Sequence, residues 1–491
     1  MAGLRLHPDR FLPPEAAERA AARAIMEASA DCPIVSPHGH VDPVLLATND
    51  PFPEPTTLLI TPDHYVFRML YSQGIDLDTL GIPRADGSRA DVDPRTVWRL
   101  FCTHWPLFAG TPTRAWMEYE LVELFGVDRV PSAETADRIY DQIAERLASP
   151  EYRPRALFEH FNIETLATTD AATDTLEHHA TLAREAWGQG PNGRPRMIPT
   201  FRPDALTQIA RPTWRHQVRQ LEARTGREIR SYDAFVEALR KRRVDFAALG
   251  AVATDHGCET PRAEWLLGAT RDAVFARALA GEASAEDEAA FTAHMLMAFA
   301  EMSADDGLVM QLHAGALRDH NRSLEAVYGA DTGADIPLQT EWTRALRPLL
   351  SEFASSATSR FRLIAFTLDE STYARELAPL AGHYPGLRLG PAWWFHDSIE
   401  GMLRYREWTT ETAGFYNTAG FNDDTRAFCS IPARHDLARR IDAHYLGRLV
   451  ARHQLELAEA CEIGRALAYD LPRHAYRLDE PARGHVREES A

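Results

Sequence analysis

The chain has 491 residues, long for one barrel domain but compatible with a barrel that carries a large insertion or with two or three ordinary domains. Hydrophobic residues make up 45% and charged residues 25%, a globular composition that sets aside disordered and fibrous classes. The formal net charge of -18 argues against nucleic-acid and anionic-membrane partners, so an acidic small-molecule substrate needs a local basic pocket.

Residues 1–42 read as an N-terminal helix and a first strand. Pro14 to Ser29 is rich in Ala and Glu and has no internal Gly or Pro, which predicts the helix. The apolar run Cys32-Pro-Ile-Val-Ser then predicts a strand ending at His38. Met1 to Leu12 has no apolar signal-peptide core, and no run approaches a membrane span, so a cytoplasmic location is expected. Cys32, Cys102, Cys258, Cys429 and Cys461 are scattered without CxxC spacing and are expected to be reduced.

Residues 43–160 are harder to order. They hold a Pro-rich stretch at Pro51 to Pro55 and helical patterns around Trp116 to Phe125 and Ala133 to Leu147, and predict a mainly helical insertion after the first strand. From 161 to 475 short apolar runs alternate with helix-compatible stretches. The runs are Glu164 to Thr169, Arg196 to Phe201, Ala247 to Thr254, Leu308 to His313, Phe361 to Thr367, Leu387 to Trp393 and Ala413 to Phe421. With the run before His38 they predict an α/β fold, a (β/α)8 TIM-like barrel, with residues 476–491 as a tail. Two Rossmann-like halves are the alternative, and no GxGxxG follows any run.

In such a barrel the chemistry gathers at the C-terminal ends of the strands. Run ends here carry His38-Gly-His40, Asp170, Arg202, Asp255-His256, His313, Asp369-Glu370, Trp393, and Asp424 with Arg426. His-x-His on a strand turns both imidazoles to one face, because side chains alternate with period two. The first and last strands meet when a barrel closes, so His38, His40 and Asp424 offer two nitrogens and one carboxylate oxygen to a single divalent metal, with positions left for substrate oxygens. Arg202, Arg318 and Arg426 would supply the positive charge that an anionic carboxylate needs. Each also has an ordinary structural reading as a helix cap or ion pair, Arg318 beside Asp319 most of all.

These residues resemble the uronate isomerases, a divergent branch of the amidohydrolase superfamily. The resemblance runs from about Pro33 to Arg440. It is carried by Pro-His38-Gly-His40, Asp63-His64-Tyr65-Val-Phe-Arg68, Thr168-Thr169-Asp170, Pro199-Thr-Phe-Arg202-Pro-Asp204, Thr254-Asp255-His256-Gly257, Gln311-Leu-His313-Ala-Gly-Ala-Leu-Arg318, Ala392-Trp393-Trp394-Phe395, and Asp424-Thr-Arg426 followed by Arg434-His435-Asp436.

The resemblance implies interconversion of D-glucuronate with D-fructuronate and of D-galacturonate with D-tagaturonate. It implies that His38, His40 and Asp424 hold one divalent ion, zinc being expected. His64, Tyr65, Asp424 and Arg426 would stand around the reacting carbons, and Arg202, Asp255, His313, Arg318 and Trp393 would line the substrate. A proton would pass between C2 and C1 on Tyr65, whose pKa is expected to be lowered by Arg426 and His64. A homo-oligomer is expected. The sequence departs from the family pattern at Ala171 and Ala172, at Asp319 and His320, and at Asp369 and Glu370. Two rival readings are a metal-dependent hydrolase on the same scaffold and a sugar-acid binding protein without catalysis.

Overall fold

A computed structural model describes residues 3–190 and 193–480. Its centre is a ring of parallel strands. β1 (Ile34–Ser36) pairs with β2 (Ile163–Ala167, resumed at Asp170–Ala171), and β2 pairs with β3 (Met197–Ile198, resumed at Phe201–Arg202). Hydrogen bonds from the amides of Leu166, Thr168, Asp170 and Ala172 to the carbonyls of Arg196, Ile198, Thr200 and Arg202 run unbroken across the interruptions. The ladder continues through β4 (Ala253–Cys258), β5 (Val309–Ala314), β6 (Leu363–Thr367) and β7 (Leu387–Leu389).

The eighth position is Thr418, bridged in parallel to Leu389. Beyond it the His40 amide donates to the Thr425 carbonyl at 3.0 Å, which joins the last segment to the first. The fold is the (β/α)8 TIM-like barrel expected from the alternation of apolar runs.

Four run boundaries are corrected. The first strand ends at Ser36, so His38 lies just beyond it. Ala247 and Ala248 end the helix Tyr232–Ala248, the chain turns at Gly250 (φ +97°), and the fourth strand starts only at Ala253. Apolarity alone does not separate the end of a buried helix from the start of a strand. The run at Leu387 to Trp393 leaves the ladder after Leu389, so Trp393 lies on a loop. In the run at Ala413 to Phe421, Ala413 closes the helix Ile399–Ala413, and only the bridge at Thr418 remains.

Between β1 and β2 every regular element is helical, from Val44–Thr48 to Pro154–His160. Proline at the first helical turn and a capping side chain start several of these helices. Asp93 accepts from the Arg95 amide before Pro94–Thr103, and Thr111 from the Arg114 amide before Pro112–Tyr119. Trp98, Phe101, Trp105, Phe108, Phe125 and Phe158 are buried in a cluster that also takes in Ile34, Ile163 and Met197 of the barrel strands. Each such side chain contributes roughly 1.5–3 kcal/mol by leaving water, which seats the helical segment on the barrel. That seating matters because the helix His64–Tyr71 belongs to it.

Tyr476 and Leu478, in the stretch expected as a tail, are buried, and the Tyr476 hydroxyl donates to Gln311 Oε1 at 2.7 Å. The tail therefore cannot begin at 476, and residues 481–491 lie outside the described residues. No helix among the described residues is long and apolar enough to cross a membrane.

Packing between β6 and β7 reaches the cavity through one glycine. A Cβ at Gly390 would lie 2.4 Å from the ring of Phe366, and that buried ring stacks on His313 at 4.3 Å between centroids. Gly390→Ala is therefore expected to cost about 1–3 kcal/mol, as overpacking of a filled core does. Chemical denaturation checks this, and an unchanged midpoint would contradict the packing described.

Candidate functional site

A cavity of about 700 Å³, open to solvent, sits at the C-terminal ends of the strands. His38, His40, His64, Tyr65, Arg202, Asp255, His313, Arg318, Trp393, Asp424 and Arg426 all line it, so every residue expected to act as metal ligand, catalyst or substrate contact comes to one place, while Asp170 lies outside it. Asp63, Asp331, Trp394, Asp397 and Arg434 line it too. The wall thus holds four arginines and five aspartates, so a chain of net charge -18 has gathered cations here almost one for one with acids.

His38 and His40 follow β1, and their Nε2 atoms lie 3.3 and 3.0 Å from the same oxygen, Oδ1 of Asp424. The backbone of Asp424 is in the left-handed region (φ +42°), a conformation Asp tolerates better than most residues. Its other oxygen accepts from the indole N–H of Trp393, which fixes the carboxylate plane. Two nitrogens and an oxygen so spaced suit one divalent ion, since donors about 2.0 Å from a tetrahedral centre lie about 3.3 Å apart. Burial raises the Asp424 carboxyl, but His38 and His40 outweigh it and hold the group well below the usual range.

A second group shares His38 with Asp255 and His313. His313 Nδ1 is 2.6 Å from Asp255 Oδ1, an ion-pair contact that orients the imidazole with Nε2 away from Asp255. His313 Nε2 and His38 Nδ1 are buried without a protein partner, unmet polar valence that an ion or a substrate oxygen would fill. Burial and Arg426 push His64 down to about 3, so its imidazole is neutral.

The three arginines each have an acid partner. Arg202 Nε donates to Asp204 Oδ2 at 2.9 Å and its Nη1 lies 3.5 Å from Asp255. Arg426 donates to Asp331 at 2.8 Å. Arg318 pairs with Asp335 at 2.7 Å rather than with the adjacent Asp319. Each pairing uses one or two of five guanidinium donors, which leaves others for an incoming anion.

Tyr65 departs from expectation. Its hydroxyl donates to both oxygens of Asp397 at 3.0 Å, and burial with the Asp397 charge raises its pKa well above the ordinary phenol value. The expected lowering by Arg426 and His64 fails because Arg426 is engaged by Asp331, and burial with Asp397 outweighs the nearby Arg434. Asp397 and Arg434 were given no role in the sequence reading. An acid shortly after Trp393-Trp394 and the arginine of Arg434-His435-Asp436 were the signals available.

None of Ala171, Ala172, Asp319, His320, Asp369 and Glu370 lines this cavity. Asp369 caps the Thr340 amide and Glu370 pairs with Arg404, so these departures leave the wall intact. His256 turns away from it and bonds to Thr254 Oγ1 at 2.9 Å.

A family model described as glucuronate isomerase matches residues 9–476. A uronate isomerase of Phenylobacterium zucineum is 52% identical over 480 residues, 98% of each chain. The crystal structure of glucuronate isomerase from Caulobacter crescentus superposes with a TM-score of 0.94 at 47% identity, covering 97% of this chain and 98% of that one. The uronate isomerase of Thermotoga maritima gives a TM-score of 0.88 at 30% identity over 96% and 99%.

The donor set yields a test that needs no substrate. The purified protein is expected to carry one divalent ion per chain by elemental analysis, and His38→Ala and His40→Ala are expected to lose most of it. Full occupancy in both variants would remove these residues as ligands.

Proposed function

The chain belongs to the glucuronate isomerase family and is a uronate isomerase, and from that premise we propose that it interconverts D-glucuronate with D-fructuronate and D-galacturonate with D-tagaturonate by moving a proton between C2 and C1. One observation carries the reading: a buried phenol, a triad with the spacing for a divalent ion and four arginines share a single cavity.

A sugar acid brings a carboxylate, and Arg202 is the first residue to hold it, with Arg318 as the second. Charge-assisted bidentate pairing suits a planar guanidinium. Asp255, His313 and Trp393 line the same cavity and would contact the sugar there. A divalent ion on His38, His40 and Asp424, zinc in this reading, would polarise or orient the sugar oxygens.

Tyr65 then takes the proton from C2 and returns it to C1, with neutral His64 stacked on its ring at 5.1 Å between centroids. Arg426 offsets the negative charge of the enediolate that forms in between. As the carbonyl moves from C1 to C2, a hydroxyl proton must move the opposite way, and the cavity-facing carboxylate of Asp424 is placed to pass it. All five cysteines are free, which supports a reducing, cytoplasmic location.

Formation of keto-sugar from D-glucuronate and from D-galacturonate tests the substrate class, and Tyr65→Phe tests the chemistry. That variant is expected to keep its fold and metal and to lose about 10²–10⁴ in kcat, the usual contribution of one positioned acid–base group, with KM little changed. Turnover by Tyr65→Phe close to that of the parent enzyme would contradict the assignment.

A further inference from the structure

A phenol that already carries its proton cannot accept another. Tyr65 is in that state, because it is buried and its hydroxyl donates to Asp397. If Tyr65 takes a proton from carbon, its own proton must leave first, and the receiving group must be within hydrogen-bond reach. The only hydrogen-bond partner of the Tyr65 hydroxyl among the described residues is the Asp397 carboxylate.

The surroundings of Asp397 are built rather than incidental. Arg434, which is 3% exposed, places Nη1 3.4 Å from Asp397 Oδ2. That arginine is held on every side: Nε donates to Ser430 Oγ at 3.2 Å, Nη1 also donates to the Asp423 carbonyl at 3.3 Å, and the guanidinium stacks on Trp116 at 3.8 Å. Trp116 comes from the helical insertion and Arg434 from the helix Ile431–Ala451, so two distant parts of the chain fix one charge beside Asp397. Burial raises the Asp397 carboxyl, opposed by Arg434, which makes it a better proton acceptor than an exposed aspartate.

Resting on the reading of Tyr65 given above, we propose that Asp397 is the proton acceptor of Tyr65, and that Asp397 with Arg434 forms a positioning pair through which the phenol becomes a base. The step balances. The C2–H bond breaks and its proton forms the new O–H bond on Tyr65, while the original phenolic proton passes to Asp397. The C2 bonding pair stays on the sugar as the enediolate. Delivery of the Tyr65 proton to C1 and return of the Asp397 proton to the phenol restore the resting state.

A double-mutant cycle tests this on the full-length, metal-loaded enzyme, with kcat, KM, metal content and thermal midpoint measured for each variant. Asp397→Asn is expected to lower kcat by about 10²–10³, with KM within about threefold of the parent. In the Tyr65→Phe background the same change is expected to alter kcat by less than about threefold, since there is no phenolic proton left to accept. A merely structural Asp397 would lower kcat by the same factor in both backgrounds, and that result overturns the inference. Asp397→Glu retains a carboxylate and is expected to restore turnover to within about tenfold of the parent. If Asp397→Asn does not fold, Asp397→Glu takes its place in the cycle, with a loss expected only where Tyr65 is present. Undiminished turnover in Asp397→Asn beside a large loss in Tyr65→Phe overturns this inference alone. Undiminished turnover in Tyr65→Phe overturns the reading of Tyr65 and this inference with it.

Discussion

The hydrogen bond from the His40 amide to the Thr425 carbonyl ties the end of the first strand to the segment that follows the eighth. That join sets the neighbouring residue, Asp424, against the imidazoles of His38 and His40, with one carboxylate oxygen between them and the other on Trp393. Around this point the remaining strands deliver Arg202, Asp255 and His313 in order, because parallel register places successive strand ends side by side. Slipping the register by one residue would turn His313 out of the cavity and bring Leu312 or Ala314 in.

The second constraint is electrostatic. Charges buried without partners are costly, and this cavity pairs them closely: Arg202 with Asp204 and Asp255, Arg434 with Asp397, and the buried Asp335 with Arg318, while the more exposed Arg426 pairs with Asp331 at the rim. Glu120, buried near Asp63 on the helical insertion, escapes the cost differently, since burial pushes it up to about 8 and leaves it protonated at neutral pH. The pairing lets an acidic protein present guanidinium groups to an acidic sugar. It also ties the insertion to the chemistry, because Tyr65 and Trp116 both meet the barrel through Arg434.

Much of this was legible in the sequence, for identifiable reasons. Barrel order is enough to bring Asp424 to His38 and His40, although both histidines lie beyond the end of β1 at Ser36, so strand alternation does not set their common face. Tyr65 was not legible from periodicity, since it opens a short helix whose start is set by the Asp63 side chain capping the Tyr65 amide. Asp397 and Arg434 lie on a loop and a helix outside the strand ends, where no alternation marks them, and only the fold brings them to Tyr65. The eighth strand was overextended in the reading because a single bridge at Thr418 suffices when neighbouring segments hold the ring. The fourth was placed early because alanines at the end of a buried helix look like the start of a strand.

The central claim is that a proton, and not a hydride, travels between C2 and C1. A phenolic proton exchanges with solvent during the lifetime of the enediolate, whereas a hydride passed directly between carbons does not. The decisive measurement is NMR of C1 in the ketose formed from C2-deuterated D-glucuronate in ordinary water. Loss of the label to solvent, in whole or in part, is the result predicted. Complete retention of deuterium at C1, together with normal turnover by a protein lacking the Tyr65 hydroxyl, would contradict the account.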